Sequence, residues 1–575
     1  MPRRWVLVAL FAVWCLGLGG RNAWTPDEPR ELALAASQLQ QFTALPTLGG
    51  RPFTEKPPLA YWLSGAAMRV LGVSAVAARA PALPYAVLAG AAVYLLGRRA
   101  GTAATGMAAA LMFATSWLVF NTQIWLASDA PLLAAVSLAL LGIYVAFGGE
   151  ARGPDFLAGC ACLHAGLLLA LFTKSLAGWL VPVSTLVAWL AMERRLRELL
   201  RPAAWLPLVG SLLLLLLWVR SVAANAGGHD SLRELFWDNL VGRFAAYADS
   251  RDVVRDLGHP NWPGKYLVEL PVYLLPWTPL LVGAVIIGWR VVRTRTATAG
   301  AARFALCACL PALLILSVAS TARGVYAAPL VPGLALFVAI VLTSPAAESR
   351  RTVIRRSSLW AARLLIALDG GLLVAAAAIA VLRSPADLAA LGASLAGLAC
   401  LVFLCVRAIR RFESFEGAVI RLAGAHLVAL AAVSLLLFPL FNQSQDLERM
   451  AGFIVSASGD RPLILWLPDE TTLAMSDLYL RRPVCAILSA TEDAAGPSRQ
   501  LADCLDRYPR AAVVTLGDCP ESECGGVLDF IRRPDPMQRR RFEFHDAALS
   551  AAGVVFVDGI VRAGGRAYLV GTRLP

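Results

Sequence analysis

The feature that most constrains this chain is a succession of apolar runs. Each is about 17–25 residues long, the length that crosses the hydrocarbon core of a bilayer. They are Trp5–Gly19, Ala75–Leu96, Ala103–Phe120, Pro131–Phe147, Phe156–Phe172, Ala177–Met192 and Ala203–Val222, then Tyr266–Trp289, Phe304–Ala319, Val325–Thr343, Leu359–Leu382, Leu388–Val406 and Ala418–Phe441. They predict a polytopic α-helical membrane protein with about thirteen transmembrane helices. Trp5–Gly19 has the length of a signal peptide, but no small-residue cleavage site follows it, so it reads as an anchor helix. With 58% hydrophobic and 16% charged residues in 575, the chain is too apolar to bury its surplus in ordinary soluble cores.

A formal charge of +13 would suggest a nucleic-acid partner in a soluble protein. Here its distribution explains it without one. Followed span by span, one side receives Arg3-Arg4, Arg98-Arg99, Arg194-Arg195 with Arg197 and Arg201, and Arg290 with Arg293 and Arg295. The same side then receives Arg350-Arg351, Arg355-Arg356, Arg407 and Arg410-Arg411. Short arginine-rich loops stay cytoplasmic. The N-terminus is therefore expected inside and the C-terminus outside.

The opposite face collects mixed charge. It includes "WTPDEPRELALAASQLQQF", "GGRPFTEKPP", Asp129 in "IWLASDAPLL", Lys174 in "LFTKSLAGWL", the loop Ala223–Lys265 and "STARGVY" at Ser320–Tyr326. Charges beside a bilayer are costly and are usually paired or functional. Asp27 and Glu28 would also cap the amphipathic helix that follows them. Capping leaves Glu55, Lys56, Asp129 and Lys174 unexplained, so a site on the outer face is expected.

After Phe441 charge and turn residues return between short apolar runs, "PLILWL", "PVCAIL", "AAVVTL", "GVVFVDGIV" and "AYLVG". Their lengths predict strands of a small α/β domain over 442–575, beside a membrane domain over 1–441. This domain holds Cys485, Cys504, Cys519 and Cys524 in a disulfide-permissive compartment, and spacing alone cannot pair them. No phosphate-binding glycine loop or dinucleotide fingerprint occurs, which argues against an ATP-driven pump.

The run "WTPDEPRELALA…GGRPFTEKPPLAYWLSGAAMRVLGVSAVAARAPALPYAV" resembles the aminoarabinose-transferase family, related to protein O-mannosyltransferases. The likeness continues through "ASDAPLL", "LFTKSLAGWLVP", "FWDNLVGRF", "GHPNWPGKYLVELPVYLLPWTPLL" and "ARGVYAAPLVPGLAL". It implies a GT-C glycosyltransferase of the bacterial inner membrane with a soluble periplasmic C-terminal domain. The implied donor is a sugar on polyprenyl phosphate, often undecaprenyl phosphate. The implied acceptor is lipid A, making the reaction a lipopolysaccharide modification.

A lipid-linked donor leaves as a phosphate, so such a site needs cations at the membrane surface. Arg30, Lys56 and Lys174 are the candidates, with Lys265 and Arg323 behind them. A sugar hydroxyl as nucleophile would need a carboxylate base, whereas an acceptor phosphate is already anionic. The resemblance makes Asp27 the first choice for the catalytic carboxylate, with Asp129 beside it, and puts Glu28 and Tyr326 in the substrate pocket. It also implies a divalent metal, zinc, held by Glu55 and His259. Two positions depart from the family pattern, with Glu31 and Phe53 standing where tyrosines are usual. They bear on the sugar's identity. A lipid-sugar flippase is the rival reading, although carriers tend to place charge near mid-membrane rather than in outer loops. A protein hydroxyl is the alternative acceptor.

Overall fold

The computed structural model describes residues 3–573 apart from 41, 150–152, 226, 239–261, 263, 320–322, 384–387, 411, 443–444, 481–483, 489–495, 519–538, 541–545 and 563–565. Among the described residues eight helices are long and apolar enough to cross a membrane, or ten if two bent pairs each count as one span. The protein is a multi-span membrane protein, but the thirteen expected spans are not matched one for one, because several apolar runs are broken or short. Ala103–Phe120 breaks at Ser116, whose backbone turns extended between helices Ala103–Thr115 and Trp117–Ile124, bent by 62°. Tyr266–Trp289 breaks before Pro276, which has no N–H to continue a helix, and its halves Lys265–Tyr273 and Thr278–Val291 bend by 114°. The two elbows touch: the Trp117 N–H donates to the Leu275 carbonyl at 2.9 Å.

By length and composition Pro154–Met192 counts as one stretch of 39 residues. Yet the Trp179 indole donates to the Leu167 carbonyl at 2.8 Å, a contact a straight helix could not make across twelve positions. Ser175, at φ 55°, turns the chain back, so Pro154–Lys174 and Leu180–Met192 run as separate helices with Lys174 at the turn. The helices Gly324–Leu342 and Asp129–Phe147 are the most enclosed of the long apolar ones, with 89% and 83% of their apolar windows buried, against 22% for Leu391–Ala408. The helix Asp129–Phe147 lies at the site. It packs on Pro154–Lys174 through Gly142 and Gly159, where an added Cβ would strike the facing backbone. Small residues allow helices to approach this closely without polar contacts.

The helix Asp27–Gln40 is anchored by Glu28. Its carboxylate accepts from Arg21 at 2.9 and 3.0 Å, from Arg79 at 2.8 and 3.0 Å, and from the N–H groups of Trp24 at 3.0 Å and Leu126 at 2.7 Å. All three charged side chains are buried. Burial lowers the Arg21 pKa to about 10 and Arg79 reinforces that, against Glu28.

The helix leads to a hairpin of β1 (Thr47–Leu48) and β2 (Arg51–Pro52). Its two-residue turn uses Gly49 and Gly50 at φ 57° and 76°, which only glycine adopts cheaply.

From Leu447 onward short strands replace long helices. These strands are β3 (Leu463–Trp466), β4 (Val484–Ile487), β5 (Ala512–Asp518), β6 (Arg539–Arg540), β7 (Val554–Arg562) and β8 (Arg566–Arg573). They form a sheet ordered β4-β3-β5-β8-β7-β6, parallel from β4 through β5 and antiparallel beyond. Helix Leu447–Ser458 packs one face around Leu463, Leu465 and Val514, while Gly496–Arg507 packs the other around Ile464 and Val513. Alternation along each strand produces this division. Cys485 pairs with Cys504, a pairing that spacing left open; Cys519 and Cys524 lie outside the described residues.

Candidate functional site

Asp27, Glu31, Lys56, Asp129 and Arg323 line one cavity of about 260 Å³, together with Asn121, Thr122, Trp125, Ala127, Gly324 and Val325. Four separate segments converge on it. Helix Asp27–Gln40 brings Asp27 and Glu31 on one face, spaced by a helical turn. The loop after β2 brings Lys56. The bent helix Trp117–Ile124 and the start of Asp129–Phe147 bring Asn121, Thr122 and Asp129. The segment before the buried span Gly324–Leu342 brings Arg323.

The cations of the site are held by carboxylates. Arg323 donates to Asp27. Arg30 lies 3.5 Å from Asp27, 3.0 Å from Glu31 and 3.8 Å from Glu55, and donates to Glu470 at 2.5 Å. The Lys56 ammonium donates to Glu31 at 2.7 Å, and that of Lys174 to Asp129 at 2.5 Å. Lys174 also sits 4.9 Å from the centre of the Tyr326 ring, a cation–π distance. Burial opposes ionisation of Asp27, but Arg323, Arg30 and Lys56 together outweigh it and hold its pKa below the ordinary carboxylate value. Glu31 behaves in the same way: burial raises its pKa, and Lys56 and Arg30 bring it lower still than normal. Both are ionised at neutral pH.

The expected site residues divide accordingly. Asp27, Asp129, Lys56 and Arg323 line the cavity; Arg30 and Lys174 stand behind it, bonded to its carboxylates. Tyr326 packs under Lys174. Lys265 begins its helix next to Tyr266, whose hydroxyl donates to the Arg323 carbonyl at 3.2 Å, and it does not line the cavity. Glu28, expected in the substrate pocket, does not line this cavity: its oxygens accept from Arg21, Arg79 and backbone N–H groups. Glu55 is 3.8 Å from Arg30, and His259 lies outside the described residues. Among the described residues no group of three or more His, Cys, Asp or Glu is placed to hold a metal. Three partners escaped sequence reading: Arg21, Arg79 and Glu470. Arg21 and Arg79 stand in apolar surroundings where a lone arginine signals a buried partner. Glu470 carries no local signal at all.

Residues 55–219, which contain Glu55, Lys56, Asp129 and Lys174, match the model of the family described as dolichyl-phosphate-mannose-protein mannosyltransferase. An undecaprenyl phosphate-alpha-4-amino-4-deoxy-L-arabinose arabinosyl transferase of Pseudomonas aeruginosa (strain LESB58) is 29% identical over 287 residues, covering 49% of this chain and 50% of the relative. The protein of the same name from Yersinia enterocolitica is 28% identical over 296 residues, 49% of this chain and 50% of its own length. The chain thus spans about half the length of the curated relatives it matches. The crystal structure of ArnT from Cupriavidus metallidurans bound to undecaprenyl phosphate superposes with a TM-score of 0.68 over 99% of this chain and 98% of that one, at 16% identity, a likeness of fold. The chain has the fold of the GT-C membrane glycosyltransferases; about half of it is similar in sequence to the aminoarabinose transferases, and residues 55–219 are similar to the dolichyl-phosphate-mannose-protein mannosyltransferase family.

Proposed function

We propose that the protein transfers a sugar from polyprenyl phosphate, undecaprenyl phosphate in particular, to an acceptor of the bacterial cell envelope, lipid A first among them. The observation that carries this reading is the cavity in which Asp27, Glu31 and Asp129 face Lys56 and Arg323. In the reaction the acceptor oxygen bonds to the anomeric carbon as the bond from that carbon to the donor phosphate breaks. The electron pair stays on the departing polyprenyl phosphate. Lys56, Arg30 and Arg323 offset the negative charge gathering on that leaving group. If the acceptor is a hydroxyl, Asp27 takes its proton, which an ionised carboxylate can do. If it is a lipid phosphate, no proton moves and Asp27 orients the sugar.

In this reading the charged face is periplasmic, the arginine-rich loops are cytoplasmic, and the sheet-bearing region lies over the site from outside. The sugar and the metal implied for Glu55 and His259 belong to the same proposal. Mass spectrometry of lipid A and other envelope glycans, from cells with and without the gene, tests the acceptor. A purified protein that moves lipid-linked sugar across vesicles but transfers it to no acceptor would establish a flippase instead. The match of residues 55–219 to the protein mannosyltransferase model favours a protein hydroxyl as the second acceptor to assay.

A further inference from the structure

Arg30 is nearly enclosed, and its charge is shared among carboxylates from three parts of the chain. Asp27 and Glu31 belong to its own helix and Glu55 to the following loop, while Glu470 comes from the sheet-bearing region. The Glu470 contact is the shortest, at 2.5 Å, and joins residues 440 positions apart. Glu470 is also the most exposed of these partners, with 47% of its side chain accessible, against 2% for Glu31 and 19% for Asp27. Arg30 keeps one buried donor, Nε–H, without a partner among the described residues. A phosphate reaching this guanidinium must displace a carboxylate, because adding an anion beside those already present is repulsive. Glu470 can rotate into water at small cost, whereas Glu31 cannot leave without abandoning Lys56 in a buried site.

The helix Glu470–Met475 is fixed to the site apart from this bond. Thr471 donates to the Pro26 carbonyl at 3.3 Å, and Asp477, just beyond the helix, accepts from the Gly49 N–H at 2.7 Å. The Asp469 carboxylate caps it, accepting from the Thr472 N–H at 2.7 Å. The backbone can therefore stay docked while the Glu470 side chain moves. Burial pushes the Glu470 carboxyl above its usual range, Arg30 lowers it and Glu55 adds to the rise, so its charged form is held less firmly than those of Asp27 and Glu31.

We propose that Glu470 is a positioning residue that occupies Arg30 in place of the donor phosphate, yields when the lipid-linked phosphate arrives, and returns to expel the polyprenyl phosphate after transfer. The proposal rests on the function proposed above and extends it, by giving the sheet-bearing region a part in the catalytic cycle. Glu470 touches neither sugar nor acceptor and acts through Arg30.

The test uses the full-length protein in detergent at about pH 8, well above the ordinary carboxylate range, titrated with farnesyl phosphate as a short polyprenyl phosphate. Glu470→Gln should bind it about threefold to fivefold more tightly, the scale of a part-exposed ion pair removed from competition. The gain should persist at about 0.5 M salt, since contact distances are screened far less than long-range ones. Turnover should fall, because product is released more slowly. Thr471→Val, which removes the docking hydrogen bond to Pro26 and leaves the Glu470 carboxylate in place, should leave affinity unchanged. Equal or weaker binding by Glu470→Gln overturns the proposal, as does a gain lost in salt or one equalled by Thr471→Val. A folded wild-type protein that binds no farnesyl phosphate overturns the proposed function itself, which separates the two failures.

Discussion

Asp27 and Arg323 are 296 residues apart in sequence and form an ion pair on the wall of the cavity they both line. The pairing joins the first charged segment of the chain to the segment leading into the buried span Gly324–Leu342. Asp27 begins the helix Asp27–Gln40, so a substitution there can act on the fold or on the chemistry. Asp27→Asn separates the two, since asparagine is as good as aspartate at a helix start. The variant should insert and accumulate normally while losing transfer by at least about a hundredfold, the scale of a missing general base. Rates measured at matched protein amounts, with Asp129→Asn in parallel, check this; near-normal transfer by Asp27→Asn reduces Asp27 to a helix-starting residue.

Lys56 lines the cavity and is held by Glu31 at 2.7 Å. In the proposed reaction its ammonium meets the donor phosphate directly. Lys56→Ala should weaken polyprenyl phosphate binding by about ten- to a hundredfold, the worth of a hydrogen bond to a charged group. Lys56→Arg should retain part of the affinity because it keeps the charge while changing the reach. Calorimetric titration of the three proteins decides; unchanged affinity in Lys56→Ala would shift the phosphate towards Lys174.

Glu28 is a matter of stability. Glu28→Gln leaves Arg21 and Arg79 buried without a counter-charge, and breaking such a cluster costs about 3–5 kcal/mol. The thermal midpoint in detergent should fall sharply, and by more than in Asp27→Asn, because the Arg323 left behind there keeps access to water. A stable Glu28→Gln protein with lost transfer would instead return Glu28 to the substrate pocket.

The pH dependence of stability follows from the signs. Asp27 and Glu31 titrate in the folded protein below their ordinary values of 3.8 and 4.5. The stability they add is complete above those values and disappears as pH falls through the lower folded ones. Glu470 is raised above 4.5, so its contribution is present below that pH and is lost as pH climbs through its folded value. Melting followed from pH 3 to 7 should show Glu31→Gln flattening the acid limb and Glu470→Gln removing an opposing slope above it. An unchanged acid limb in Glu31→Gln would mean its pairing with Lys56 adds nothing.

Much of the membrane architecture is legible because a bilayer forces long apolar runs, and the runs can be counted from residues alone. A count of runs does not show where a run hides a break. Ser116 and Pro276 sit within apolar stretches that satisfy a length test, but each ends a helix. The reversal at Ser175 was legible, because Thr173-Lys174 parts the runs Phe156–Phe172 and Ala177–Met192, whereas the contact that closes it, the Trp179 indole on the Leu167 carbonyl, leaves no trace in hydropathy.

The sequence by itself determined the chemistry of the charged face. Asp27, Arg30, Glu55, Lys56, Asp129 and Lys174 stand out because charge beside a membrane is costly, whatever fold carries it. It could not say which of them meet. Asp27 and Glu28 are adjacent and alike, yet successive helical positions face different directions. One therefore lines a cavity with Arg323, and the other is sealed between Arg21 and Arg79. Only the tertiary structure decided that division, and only it brought Glu470 across 440 residues to Arg30. Partner choice among buried charges depends on which groups lose water together, and that is fixed by packing rather than by spacing along the chain.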